Sequence, residues 1–126
     1  MDKGKTVLVA DDDTDIRELV VFKLEQSGYD VVAVGDGEAA LSSIRERPPH
    51  VAILDIMMPG RSGLDVLHEI REDDALRAVR VILLTARSRD LDVDAGFSTG
   101  ADDYVIKPFS PRELMHRVES ILTRRD

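Results

Sequence analysis

Four short apolar runs constrain this chain most, because each is followed directly by a residue with a charged or reactive side chain. The runs occupy residues 7–10, 51–54, 81–84 and 104–106. They are followed by Asp11-Asp12-Asp13, by Asp55, by Thr85-Ala86 and by Lys107-Pro108. Continuous apolar runs of this length, bounded by turn residues, are typical of strands that are covered on both faces. The sequence therefore predicts buried strands with polar residues at their carboxyl ends.

Helical segments separate the predicted strands, so strand and helix alternate five times along the chain. Asp13 is placed as the N-cap of the first helix and Gly28 as its C-cap. Ser110, with Pro111 at the first helical position, marks the start of the last helix. Residues 90–99 predict a weaker fourth helix, because they contain few strong helix formers. This alternation favours a parallel sheet with right-handed crossovers.

The predicted strand ends bring together groups that are suited to phosphoryl chemistry. Open parallel sheets bind ligands beyond the carboxyl ends of their strands. Asp11 and Asp12 can hold Mg²⁺, a hard cation that prefers oxygen ligands. Asp55 is the candidate nucleophile, because a carboxylate can attack phosphorus to give an aspartyl phosphate. Lys107 supplies a positive charge and Thr85 a hydroxyl donor, and phosphoryl transfer depends mainly on such positioning and charge neutralisation.

Composition bounds the class of protein. The chain has 126 residues, of which 43% are hydrophobic and 33% charged, as expected for one folded domain. It contains no cysteine, which excludes disulfides and thiolate metal sites. The net charge of -8 argues against nucleic-acid binding by this domain itself. No apolar stretch is long enough to span a membrane, so we expect a cytoplasmic protein without a membrane partner.

Longer segments around the same residues resemble the receiver domain of bacterial two-component response regulators. The matching segments are residues 7–12, 55–60, 84–86 and 100–109, in this order and at this spacing. The resemblance implies one receiver domain over residues 1–126, with any output domain outside this chain. It also implies a flavodoxin-like or CheY-like three-layer sandwich, in which five helices cover a five-stranded parallel sheet of order 2-1-3-4-5.

The resemblance assigns roles to the candidate site residues. Asp55 accepts a phosphoryl group from a phosphohistidine on a sensor histidine kinase or a phosphotransfer protein. Asp12 binds Mg²⁺ directly and Asp11 binds it mainly through water, and Mn²⁺ could substitute. Asp55 itself and the backbone carbonyl of Met57 complete the protein ligands, and Lys107 contacts the phosphoryl group. Such a domain phosphorylates and dephosphorylates itself, and it is not an enzyme that turns over a diffusible substrate.

Further residues are implied to transmit or time the signal. Thr85 turns toward the new phosphate, and Tyr104 moves inward into the space that is vacated. The peptide bond before Pro108 is expected to be cis, a form that is tolerated mainly before proline. Met57 and Arg87 gate the approach of water to the phosphoryl group, so they set how long the phosphate survives.

The signal is expected to leave through a surface formed by the fourth helix, the fifth strand and the fifth helix. This surface carries acids and bases, namely Asp102, Asp103, Arg112, Glu113 and Arg117. A two-fold axis through such a face lets each acid meet the partner subunit's base. Residues 100–114 look most like receivers attached to winged-helix DNA-binding domains, which would make transcription regulation the output. Residues 93–95 lack the basic residue usual in those receivers, so we expect at best a weak, phosphorylation-dependent homodimer.

The acidic residues also allow other interpretations. Asp13 is better explained as a helix cap than as a metal ligand. A calcium loop fails, because Ile16 replaces the required glycine and Phe22 the closing glutamate. An aspartyl-phosphate phosphatase of the haloacid-dehalogenase type would need Thr or Val where Asp15 stands. A non-phosphorylated interaction module on the same fold stays open, and uptake of phosphate on Asp55 would separate these classes.

Overall fold

The structure, a computed structural model, describes residues 4–86 and 98–124. The strands are β1 (Thr6–Ala10), β2 (Asp30–Val34), β3 (Val51–Asp55), β4 (Arg80–Ala86) and β5 (Asp103–Lys107). The helices are α1 (Thr14–Gln26), α2 (Gly37–Glu46), α3 (Gly63–Glu72) and a C-terminal helix (Pro111–Thr123), and a short 3-10 helix (Asp74–Leu76) precedes β4.

The five strands pair in parallel in the order β2-β1-β3-β4-β5, which confirms the predicted sheet. β1 lies between β2 and β3, so Ala10 is paired with Val34 on one side and with Leu54 on the other. The residues that follow β1 and β3 therefore emerge side by side at one edge of the sheet.

Two of the three interior strands, β1 and β3, are buried at every position. Their side chains point alternately to the two faces of the sheet. Leu8 and Leu54 pack with residues of α2 and α3, and Val9 and Ile53 pack with residues of α1 and the C-terminal helix. Helices thus cover both faces of a three-layer sandwich, and this double cover is the reason for the continuous apolar runs.

Side-chain caps fix where the first and last helices begin. Asp13 caps α1 and Ser110 caps the C-terminal helix, as predicted. The predicted C-cap is wrong by one residue, because Ser27 is the C-cap of α1 and Gly28 follows it. Gly28 has a φ of 96°, the left-handed conformation that glycine adopts readily just beyond a helix end.

The strands extend beyond the apolar runs. β3 includes Asp55, β4 includes Thr85 and β5 includes Lys107, because backbone pairing continues regardless of side-chain polarity. The 3-10 helix before β4 was not predicted. The predicted fourth helix lies mostly in residues 87–97, outside the described residues. None of the described helices is long and apolar enough to cross a membrane.

Candidate functional site

The candidate site lies at the edge of the sheet where the strands end. Asp11 follows the last residue of β1, and Asp55 is the last residue of β3. On the next strands, Asp55 is paired with Leu84, and Ala86 with Lys107. The sheet order thus brings together groups that are far apart in sequence.

Three carboxylates form the centre of the site. Ligand oxygens of Asp11, Asp12 and Asp55 lie within 4.8 Å of one another. Asp11 is fully buried and Asp55 is 4% exposed, whereas Asp12 faces solvent. Like charges this close repel one another, so the cluster is stabilised by compensating positive charge or by protonation of a carboxylate.

Lys107 provides positive charge from β5. Its Nζ donates to Asp55 Oδ2 at 3.2 Å and lies 2.9 Å from Asp11 Oδ2. The other oxygen of each carboxylate accepts a backbone hydrogen bond. Asp55 Oδ1 accepts from the Met57 N–H at 3.1 Å, and Asp11 Oδ1 accepts from the Asp13 N–H at 2.9 Å. These bonds fix the orientation of both buried carboxylates.

The environment of Asp55 disfavours its ionised form. Burial and the neighbouring charge of Asp11 raise the pKa of Asp55 to about 7, although Lys107 and the Met57 N–H oppose the change. Burial disfavours the charged form of Lys107, but its contacts with Asp11 and Asp55 outweigh burial and raise the pKa of its ammonium. Asp55 is therefore only partly ionised at neutral pH, and added positive charge at the site would favour its anionic form.

The donor set fits a hard divalent cation. The three carboxylates carry three formal negative charges and the Lys107 ammonium carries one positive charge, so the formal net charge of the site is −2. Asp11 Oδ2 is buried and accepts no well-aligned hydrogen bond from any described residue, although Lys107 lies close to it. A buried oxygen with spare acceptor capacity, beside a solvent-facing carboxylate, matches the oxygen ligands that Mg²⁺ takes while it keeps several waters. The residues present thus suit the predicted Mg²⁺.

The residues predicted to transmit or time the signal are placed around this centre, and their roles remain predictions. Thr85 is buried, and its hydroxyl donates to the Ala86 carbonyl at 3.3 Å. Tyr104 is half-buried and packs against the core on the side of α2 and α3. Met57 is 52% exposed beside Asp55. The peptide bond before Pro108 is cis, as predicted.

Arg87, the other predicted gate for water, lies outside the described residues.

Two residues at the site escaped the sequence interpretation. Gly63, the first residue of α3, sits so close to β3 that an added Cβ would lie 2.5 Å from the Asp55 carbonyl oxygen. Its only sequence signal was its place in a glycine-rich loop. Arg17 of α1 donates to the Asp11 carbonyl at 2.7 Å. A signal did exist for Arg17, since it lies four residues after the cap Asp13 and so faces the loop that leads into its own helix.

On the predicted signalling surface, two acids are paired within the chain. Arg117 NH1 lies 3.0 Å from both carboxylate oxygens of Asp103. Arg71 NH2 lies 3.1 Å from Asp102 Oδ2, which also accepts from the Val81 N–H at 2.8 Å. A dimer that uses these acids would have to exchange the pairs inside the subunit for pairs across the axis.

Known proteins have sequences similar to nearly the whole of this chain. The chain is 42% identical over 120 residues to the DNA-binding response regulator MtrA of Mycolicibacterium paratuberculosis, covering 95% of this chain and 52% of the relative. It is 39% identical over 121 residues to the phosphate regulon transcriptional regulatory protein PhoB of Escherichia coli, covering 96% and 53%. The chain spans about half the length of the curated relatives it matches.

The fold is likewise similar to that of a solved response regulator. The chemotaxis response regulator CheY4 of Vibrio cholerae superposes with a TM-score of 0.88 at 27% identity, covering 94% of this chain and 99% of that one. The family model described as "Response regulator receiver domain" matches residues 7–119, from β1 into the C-terminal helix. The chain therefore belongs to the family of response regulator receiver domains.

Proposed function

We propose that this domain is the phosphorylation-dependent switch of a two-component system and that Asp55 accepts the phosphoryl group. In this proposal residues 1–126 form one cytoplasmic receiver domain, and its donor is a phosphohistidine on a sensor kinase or a phosphotransfer protein. The observation that carries the proposal is the buried Asp55 carboxyl, held by Lys107 beside Asp11 and Asp12 at the edge of the sheet.

The chemistry follows from the charges around Asp55. A carboxylate oxygen of Asp55 attacks phosphorus, a P–O bond forms, and the P–N bond to the donor imidazole breaks, so the imidazole keeps the electron pair. The incoming group brings negative charge toward Asp11 and Asp12, and the reaction is slow unless that charge is neutralised. Lys107 Nζ, already 3.2 Å from Asp55, would contact the phosphoryl oxygens.

A divalent cation would complete the neutralisation. Asp11, Asp12, Asp55 and the Met57 carbonyl would hold Mg²⁺ or Mn²⁺, which supplies two positive charges beside the phosphoryl oxygens. The exposure of Asp12 and the spare acceptor oxygen of Asp11 support this assignment.

The readout would begin at Thr85. Its hydroxyl would leave the Ala86 carbonyl for the new phosphate, and Tyr104 would move inward behind it. Together with Pro108 these residues would remodel the face that includes β5 and the C-terminal helix. Because MtrA is described as DNA-binding and PhoB as a transcriptional regulator, we propose that the remodelled face controls an output domain that regulates transcription.

Two other functions are alternatives to this switch, namely an aspartyl-phosphate phosphatase and an interaction module that is not phosphorylated. A phosphatase would release phosphate from an added ester continuously, whereas a switch takes up one phosphoryl group and loses it slowly. An interaction module without phosphorylation would take up none. No described contact favours either alternative.

The test is incorporation of labelled phosphate from acetyl phosphate with Mg²⁺. Asp55→Asn should abolish labelling, because the amide keeps the size of the carboxylate but is not a nucleophile. Asp13→Asn is the matched control, since it removes a charge two residues from Asp11 and asparagine still caps a helix. Labelling of Asp55→Asn equal to the parent would move the acceptor elsewhere. An unlabelled parent would support the interaction module.

A further inference from the structure

We infer that Arg17 is a positioning residue for the cation site, because it fixes the peptide that carries Asp12. This inference rests on the proposed function, since it concerns how the proposed metal ligands are held. Arg17 lies on the first turns of α1, and its NH1 donates to the Asp11 carbonyl at 2.7 Å. A guanidinium-to-carbonyl bond of this length is charge-assisted and stronger than a neutral one.

Asp12 needs such support, because it is the exposed carboxylate of the three. The peptide bonds on both of its sides are held by neighbours. The carbonyl before it, that of Asp11, accepts from Arg17, and the N–H after it, that of Asp13, donates to Asp11 Oδ1 at 2.9 Å. With both peptide planes fixed, the direction in which the Asp12 side chain leaves the backbone is also fixed.

The packing around Arg17 limits where its guanidinium can go. NH2 reaches Thr14 Oγ1 at 3.5 Å, at the start of α1. On the other side, a Cβ added to Gly35 would lie 3.1 Å from Arg17 NH1. The guanidinium therefore fills the space between the loop after β1 and the loop after β2, and a Cβ at position 35 would displace it by a few tenths of an ångström.

Two effects of Arg17 on a bound cation have opposite signs, and this makes the inference testable. As a positive charge near Asp11, Arg17 repels a cation, so its removal would strengthen Mg²⁺ binding by Coulomb's law. As a holder of the Asp11 carbonyl, it preorganises Asp12, so its removal would weaken binding. Loss of an outer partner that orients a metal ligand typically costs about 10-fold or more in metal affinity. We expect the second effect to dominate.

The experiment is a Mg²⁺ titration followed by the NMR amide shifts of Asp13 and Met57, in the parent and in variants. Arg17→Met should raise the dissociation constant about tenfold. Arg17→Lys keeps the charge but loses the planar fork, so it should lie between parent and Arg17→Met. Lys23→Gln removes the same charge from the far end of the same helix, and its dissociation constant should equal that of the parent.

A second readout separates positioning from general damage. At saturating Mg²⁺ the rate of phosphorylation of Arg17→Met by acetyl phosphate should return toward that of the parent, whereas a distorted site would stay slow. A dissociation constant that is unchanged or lower in Arg17→Met would overturn the inference and leave the proposed function intact. A parent that binds no Mg²⁺ would overturn both the proposed metal site and this inference.

Discussion

Removing the charge of Asp55 should make the metal-free protein more stable above pH 7, even though the same change removes the proposed nucleophile. The pKa of Asp55 is raised from 3.8 to about 7 in the folded state, chiefly by burial and then by Asp11. The folded state therefore binds a proton more tightly than the unfolded state does. Stability is favoured at low pH, and it falls as the pH rises from about 4 through about 7, where the folded carboxyl ionises.

The magnitude follows from the size of this shift. A shift from 3.8 to about 7 corresponds to roughly 4 kcal/mol, at about 1.4 kcal/mol for each pKa unit. Because Asp55 is only 4% exposed, solvent screens the effect little. The value is an upper bound, since Asp55→Asn also takes from Lys107 one of its two acidic partners. Asp55→Asn should therefore gain up to about 4 kcal/mol at pH 8 and almost nothing at pH 4.

The assay is urea unfolding between pH 4 and pH 8 in the presence of a chelator. The quantity of interest is the difference in unfolding free energy between Asp55→Asn and the parent, because this difference cancels the titration of other groups. Asp13→Asn, at an exposed carboxylate that caps α1, should show no comparable rise with pH. A difference that stays flat from pH 4 to pH 8, or an Asp55→Asn protein that is less stable at pH 8, would refute the explanation based on burial and charge repulsion.

Three further predictions concern the cation, the lifetime and the dimer. At 10 mM Mg²⁺, for a dissociation constant on the order of 1 mM, mass action adds about 1.4 kcal/mol to the unfolding free energy. Asp12→Ala should abolish this gain and stabilise the metal-free protein, and a gain that persists in Asp12→Ala would place the metal elsewhere. Replacing Met57 and Arg87 together by smaller polar residues should speed the loss of labelled phosphate, and an unchanged decay would contradict their role as gates. Analytical ultracentrifugation should find a monomer without beryllofluoride and, with it, at best a weak dimer that high salt and Arg117→Glu disrupt, because each exposed ion pair contributes less than about 1 kcal/mol. A dimer that does not respond to beryllofluoride, to salt or to Arg117→Glu would use another face.

The local features of the fold could be predicted from the sequence, because their causes lie within a few residues. The apolar run of residues 7–10 is a strand since both of its faces are covered. Asp13 and Ser110 begin helices because their side chains reach a backbone N–H three residues ahead. The residues at the strand ends could be identified because they directly follow the apolar runs. The rule for parallel sheets predicted that these residues lie at one edge of the sheet, and the strand order was taken from the resemblance to receiver domains.

Tertiary structure alone decided the contacts that depend on which strands are neighbours and how closely backbones approach. The bond from Arg71 to Asp102, the narrow gap that Gly63 fills beside Asp55, and the pairing of Arg117 with Asp103 follow no local pattern. The raised pKa of Asp55 is of the same kind, because burial and the charge of Asp11 act through space. A hydrophobic pattern specifies which face of an element is buried, but distances of a few ångströms between polar groups are set only when the layers have packed.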